Sequence, residues 1–542
     1  MATLDRKSKK PEIIIALTGP VGTDLNAVAE NLSELLRGYL YETTRIKVSS
    51  LIREWCDHEA QEIIESAKGD ERIHLLMNAG DRLRETRNSG NALIPIVLTA
   101  IRNHRMTELS KSGHDDDKQR LELYNHCYLI DSLKHPDEID TLRKVYKDKI
   151  LVVSAFSGLE KRKERLCDII AKSEKSTNNN EFMDRADALI SKDAKNPEKR
   201  VGQKLSDTFH KADYFLRVGQ DLKSDLDRML ELLFGEPYKT PMRDEFFMFE
   251  AKANSLRSSD LSRQIGAVIT TDTHDIVARG CNEVPTAAGG SYWPDRPEKF
   301  DNRDFKKGRD FNNVKKDEVL KELIDFLVCE EIFGSDLLDQ DSAEIVNRLI
   351  FGDKKNLFKN LRVSNLIEFG RVIHAEMNAL MEAARRGLPV QNGVLYSTTF
   401  PCHMCARHII AAGIKRVVYI EPYPKSMAKE LFPELISIDS ENPIGKDHRG
   451  PSFDRVYFVP FEGVAPRIYS SLFTALRRKD ASGYTVDWNK TLALPKLASF
   501  STSHLAIELS VAKEVESLPI VTHNDITIEK GIRDVHKSRQ DT

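Results

Sequence analysis

The first apolar run of the chain, residues 12–18 (EIIIALT), has the length and continuity of a short buried strand. Gly19-Pro20-Val21-Gly22-Thr23-Asp24 follows, and then apolar positions at Leu25, Val28, Ala29, Leu32, Leu35 and Leu36, a helical spacing that stops near Gly38. Further strands are expected at 127–130, ending in Asp131, at 150–153 and at 212–216, with Gly80-Asp81-Arg82-Leu83-Arg84 inside a helix. Such alternation of strands and helices predicts a parallel sheet covered on both faces. The pattern changes near residue 241. A helix is expected over 246–261, two strands over 265–270 and 275–280 joined by a turn at 272–274, and a helix over 371–387 capped by Gly387. A strand at 394–397, a helix opening after Pro401 and stopping near Gly413, and a strand at 417–420 come next. Residues 451–463 read as a strand that could pair at the edge of this second sheet, and 468–478 as a short helix.

At about 150 residues per domain, 542 residues correspond to three or four units, or to two large ones and a tail. The formal charge of −3 argues against a protein built to coat nucleic acid. No apolar run approaches the roughly twenty residues of a membrane span. The start, MATLDRKSKKPE, lacks the apolar run of a secretory signal, and seven cysteines, sparse and odd in number, do not form a disulfide framework. A cytoplasmic location is therefore expected.

Strand, glycine-rich turn and helix is the layout of a phosphate-binding loop, in which backbone N–H groups and a helix N-terminus cradle an anion. Here the chemistry is degenerate. Asp24 stands where the second glycine belongs, Leu25 where the lysine belongs, and Asn26 where a magnesium-holding hydroxyl belongs. Gly19, Gly22, Thr23 and Asp24 are the candidate nucleotide contacts. Three readings stay open: a regulatory nucleotide pocket, a scaffold that has lost nucleotide binding, and an active phosphotransferase. Residues 11–236 as a whole resemble a nucleoside-monophosphate-kinase module, with Lys161, Arg162, Lys163 and Arg165 as a lid-like basic cluster.

The strongest chemistry lies further along. His374-Ala375-Glu376 on one helix and Pro401-Cys402-His403-Met404-Cys405 at the start of another form the pattern of a zinc deaminase. His374, Cys402 and Cys405 supply one nitrogen and two thiolates, leaving a fourth tetrahedral position open for water. Glu376 is the catalytic candidate, a proton shuttle that need not be a ligand. His403 is a possible extra ligand, or a helix-start residue facing elsewhere.

Residues 255–423 resemble the deoxycytidylate deaminase family. The resemblance is carried by Ser262-Arg263-Gln264-Ile265-Gly266-Ala267-Val268, Gly280-Cys281-Asn282-Glu283-Val284-Pro285, His374-Ala375-Glu376-Met377-Asn378-Ala379 and the run from Pro401 to Ile414. It implies that Asn282 contacts the sugar and base end of a nucleotide, although Cys281 and Glu283 replace the family's usual tyrosine and glycine. Tyr423 is either a stacking partner for the pyrimidine or a half-buried loop tyrosine. A degenerate kinase-like half fused to such a half resembles the two-domain anti-phage dCTP deaminases of bacteria. That resemblance implies an α/β fold of two domains. One, over 11–236, is a P-loop kinase-like parallel sheet with helices on both faces. The other, over 241–470, is a cytidine-deaminase-like α/β/α domain with a mixed five-stranded sheet and an insertion at about 287–365. Residues 471–542 are expected to be a partly mobile extension. It also implies one catalytic Zn2+ per chain, deamination of dCTP and dCMP that depletes the dCTP pool as an antiviral defence, homo-oligomers, and inhibition by a small RNA. A nucleic-acid cytidine or adenosine deaminase, and a nucleotide- or RNA-regulated sensor with structural zinc, are the competing readings. The insertion carries Lys299, Arg303, Lys306, Lys307, Arg309, Lys315 and Lys316. This basic stretch grips a triphosphate or a small RNA, touches a neighbouring subunit, or is a solvated loop.

Overall fold

The computed structural model describes residues 9–527 except 113–121, 195–202, 220, 296, 331, 333–340, 351, 353–360, 362–365, 424–425, 439–454 and 498–503. The chain divides into two compact units, one of residues 1–245 and 461–542, the other of residues 246–460.

In the first unit, β1 (Ile13–Thr18), β2 (Glu42–Lys47), β3 (His126–Leu133), β4 (Ile150–Phe156) and β5 (Tyr214–Arg217) are all parallel. β1 lies between β3 and β4, with Ile14 opposite both Tyr128 and Ile150. Every residue of β1 is buried, as its continuous apolar run requires of a central parallel strand. The helix Leu25–Gly38 lays Val28, Ala29, Leu32 and Leu36 on one face of this sheet, beside the helix Leu222–Leu233. Its first turn is capped by Asp24, whose carboxylate accepts the Ala27 N–H.

The second unit holds β6 (Gly266–Thr270), β7 (Ile276–Cys281), β8 (Val394–Thr399), β9 (Arg416–Glu421), β10 (Ile436–Ile438) and β11 (Val456–Pro460), in spatial order β10-β11-β9-β8-β6-β7. The sheet is mixed: β6 runs antiparallel to β7 and β8, and the other pairs are parallel. Six described strands replace the five expected, because the three-residue β10 occupies the edge. β11 therefore lies inside the sheet, not at its margin.

After Pro460 the chain returns to the first unit. β12 (Gly463–Val464) pairs antiparallel with β5. The boundary expected at 470 thus falls ten residues earlier, and the helices His504–Ala512 and His523–Thr527 pack on the first unit's helices Ile94–Ser112 and Gly69–Thr86. The final stretch 531–542, expected to be mobile, lies outside the described residues. No described helix is long and apolar enough to cross a membrane.

His126 opens β3 with its ring buried against Thr44 and His104. Burial, reinforced by the charge of His104, pushes its imidazole down to about 4. An unfolded histidine titrates near 6.5. Between those values the unfolded chain binds more protons, so stability present above pH 6.5 is lost as the pH falls toward 4. Urea unfolding is expected to show a midpoint that drops over this window, and His126→Gln is expected to flatten the drop.

Candidate metal centre and active site

Two helix starts meet over the second sheet. His374 is the N-cap residue of the helix Ala375–Arg385, and Glu376 lies in its first turn. Cys402 is the N-cap residue of the helix His403–Ala411, where its sulfur accepts the Cys405 N–H. The first helix seats directly on β7 because Gly280 has no side chain: a Cβ there would lie 2.1 Å from the Ala375 carbonyl oxygen. Asn378 fastens the same contact by donating to the Cys281 carbonyl at 2.7 Å.

His374 Nδ1 lies 3.2 Å from Cys402 Sγ and 3.4 Å from Cys405 Sγ, and the ligand atoms of the three residues fall within 4.8 Å of one another. This is the one His/Cys/Asp/Glu cluster of metal-binding geometry among the described residues. The Cys402 thiol is held down at about 4, first by its bond with Cys405 and then by the imidazole. His374 is raised to about 9 by Cys402. The imidazole nitrogen and the two sulfurs thus converge on one point. The donor set, one nitrogen and two sulfurs, fits zinc. His403 turns away, with Nε2 3.9 Å from Glu368, and is not a member of the cluster.

Glu376 is 4% exposed, and burial raises its carboxyl. Its Oε1 accepts the Ser397 hydroxyl at 3.2 Å, and its Oε2 lies 3.5 Å from Cys405 Sγ. A cavity of about 250 Å3 opens onto Glu376, His374 and Cys402, with Asn282 and Tyr423 in its wall. Asn282 is engaged at both ends of its amide, accepting the Ile265 N–H at 2.7 Å and donating to the Arg263 carbonyl at 2.8 Å. It shapes the wall through the 263–265 backbone. Glu283 likewise ties the rim together by accepting from the backbone and hydroxyl of Ser259. Tyr423 is half-buried, with the Arg263 guanidinium 5.9 Å from its ring centre.

The insertion reaches this cavity, though not with its lysines. Lys306 pairs with Glu298, Lys315 with Glu318 and Arg303 with Asp301. The groups facing the cavity are Asp304, Asp310 and Asn312, together with Arg371, which pairs with Asp304 at 2.6 Å. Sequence reasoning missed Ser397 and Arg371. Ser397 was readable as an inward position from its two-residue spacing to Leu395, and Arg371 from its place three residues before His374.

In the first unit, Gly19, Gly22, Thr23 and Asp24 do form the turn between β1 and its helix, and Gly22 adopts a φ of +86°. The turn is already filled. The Val21 N–H donates to the Asp193 carboxylate at 2.6 Å, and Lys134 Nζ binds the same carboxylate at 2.8 Å and the Gly19 carbonyl at 2.7 Å. Asp24 caps its own helix and pairs with Arg165.

Residues 241–421 match the family model of the cytidine and deoxycytidylate deaminase zinc-binding region. ComE operon protein 2 of Bacillus subtilis is 46% identical over 63 residues, 11% of this chain and 33% of that protein. The deoxycytidylate deaminase of Enterobacteria phage T4 is 46% identical over 54 residues, 10% of this chain and 28% of its own length. A probable deoxycytidylate deaminase of Drosophila melanogaster is 25% identical over 177 residues, 33% of this chain and 58% of that one. The chain thus spans less than two thirds of these relatives, and about a third of the first. The solved dCMP deaminase of cyanophage S-TIM5 aligns at 15% identity and a TM-score of 0.21, over 41% of this chain and all of its own.

Proposed function

We propose that this chain is a zinc-dependent hydrolase that converts free deoxycytidine nucleotides to deoxyuridine nucleotides, dCTP to dUTP and dCMP to dUMP. The observation that carries the reading is the meeting of His374, Cys402 and Cys405 beside a buried, non-ligating Glu376 at the floor of a cavity. His374, Cys402 and Cys405 would hold the metal, and bound zinc supplies Lewis acidity that brings the pKa of water toward neutrality. Glu376 takes a proton from water as the oxygen joins C4 of the cytosine ring. It gives that proton to ring nitrogen N3, then takes the proton of the new C4 hydroxyl as the carbonyl forms and passes it to the departing amine, so that water is consumed and ammonia released. Tyr423 packs beside the pyrimidine, Asn282 holds the wall against the sugar, and Arg263 and Arg371 are the cations assigned to the phosphates. The test is ammonia release by wild type and Glu376→Ala from dCTP, dCMP, CTP, deoxycytidine, single-stranded DNA and tRNA. Turnover of polynucleotides alone would overturn the reading.

The resemblance to two-domain anti-phage dCTP deaminases supports a biological role in draining the dCTP pool. Cellular nucleotide pools during phage infection, with wild type and Glu376→Ala compared, test it. The same resemblance supports oligomeric assembly and inhibition by a small RNA, which sedimentation of the purified chain and extraction of co-purified RNA examine. A regulatory nucleotide entering the turn at Gly19–Asp24 must displace the Asp193 carboxylate from Val21 and Lys134. Asp193→Ala is therefore expected to bind nucleotide or inorganic phosphate several-fold more tightly than wild type in calorimetric titration. Equal binding would remove this turn from the regulatory site.

A further inference from the structure

We infer that Ser397 is a positioning residue for the proton shuttle, holding one oxygen of Glu376 so that the other faces the reacting water. The inference rests on the deaminase reading above and adds a residue from the sheet to a site otherwise built from two helix starts.

Ser397 lies in β8, a central strand, opposite Ala267 of β6 and Tyr419 of β9. Its backbone is thus fixed from both sides. Side chains alternate along a strand, so Ser397 shares a face with Leu395, which belongs to the core beneath the two helices. At this place an apolar residue would be the ordinary choice, because Ser397 is 0% exposed. A hydroxyl there needs a partner, since a buried unpaired polar group is costly. It finds one in Glu376 Oε1 at 3.2 Å, while its oxygen is approached by the Thr399 N–H at 3.5 Å.

The two oxygens of Glu376 are consequently unlike. Oε1 is tethered to the sheet. Oε2 is turned toward the metal-ligating sulfur of Cys405, 3.5 Å away. A carboxylate on a helix has freedom about its terminal torsion. The serine removes that freedom and keeps Oε2 on the side where water is activated. A misplacement of about 1 Å in such a group can cost on the order of a hundredfold in rate.

The test compares Ser397→Ala, Ser397→Thr and Ser397→Val for kcat, KM and zinc content. Threonine and valine have the same shape and differ in the hydroxyl, so the pair separates positioning from packing. Ser397→Ala and Ser397→Val are expected to lose about ten- to a hundredfold in kcat, with zinc content unchanged and KM within about threefold of wild type. Ser397→Thr is expected to exceed Ser397→Val by at least about tenfold on the same scale. A second readout is binding of a 2-pyrimidinone deoxynucleotide, which takes a transition-state-like form only after water adds at C4. Its affinity is expected to fall with kcat, while affinity for the product dUMP stays constant. Equal kcat for the threonine and valine variants, or wild-type kcat in Ser397→Ala, overturns the role of Ser397 and leaves the deaminase reading intact. Full turnover by Glu376→Ala would instead overturn the reading on which it rests.

Discussion

Glu376→Gln is expected to bind zinc and nucleotide as wild type does and to lose turnover by about 10²- to 10⁴-fold, the range over which a positioned proton-transfer group acts. Glutamine keeps the volume of the buried side chain, and its amide oxygen can still accept the Ser397 hydroxyl. What disappears is the capacity to take a proton from water and give it to the ring and the amine. The metal cluster does not include Glu376, so zinc content, expected at one per chain, is unaffected. Metal analysis and ammonia release on the same preparation separate the two properties. Loss of zinc in the glutamine variant would show Glu376 to be part of the metal centre, and retained turnover would show another group to be the shuttle. Chelation of wild type is the companion experiment: it is expected to remove activity and to leave His374, Cys402 and Cys405 without their cation.

The chemistry of this centre was legible in the sequence because its members sit at fixed short spacings. His374 and Glu376 are two apart, Cys402 and Cys405 three apart, and each pair opens a helix. Local rules of capping and periodicity suffice to bring each pair together. That Ser397 would meet Glu376 was not legible, because the contact depends on how the helix Ala375–Arg385 seats on the sheet, which Gly280 decides from 95 residues away in sequence. The closed phosphate-loop turn is a harder case. The Val21–Asp193 bond joins residues 172 apart, and nothing near either residue announces it. Charge counting left three readings of the insertion open. Lys306 and Lys315 are exposed and locally paired, while Asp304 and Asp310 line the cavity. A count of basic residues reports composition along the chain and carries no information on which side of a loop turns inward.

The C-terminal segment, expected to be an extension, carries instead a prediction of large effect: Glu508→Ala should destabilise the first unit by roughly 3–5 kcal/mol. Glu508 is 0% exposed and belongs to the helix His504–Ala512. Its carboxylate receives Arg105 Nη1 at 2.7 Å and the Tyr146 hydroxyl at 2.8 Å. Arg105 is itself 2% exposed and is bound on its other side by Glu12, at 2.7 and 3.1 Å. Burial raises the Glu12 carboxyl, and Arg105 opposes that rise. Two carboxylates and one guanidinium thus share a dry site, with Arg102 3.6 Å from Glu508 at its margin. Truncating Glu508 leaves Arg105 with a single buried partner and strands the Tyr146 hydroxyl. Because breaking one arm of a buried ion cluster costs more than replacing the whole cluster, the triple variant Glu12→Leu, Arg105→Met, Glu508→Leu should recover part of the loss. The same segment is also held by Arg82–Asp525 at 2.8 Å, by the Asn78 amide on the Ile526 carbonyl at 3.1 Å and by the Trp55 indole on the Pro519 carbonyl at 3.1 Å. Thermal unfolding of Glu508→Ala is therefore expected several degrees below wild type. Protease cleavage in the 504–527 segment should be accelerated before the main transition, because the helix that Glu508 anchors loses its deepest contact. An unfolding curve and a cleavage rate indistinguishable from wild type would mean that the segment is held by its peripheral bonds, and that the buried triad of Arg105, Glu12 and Glu508 is not what fastens it.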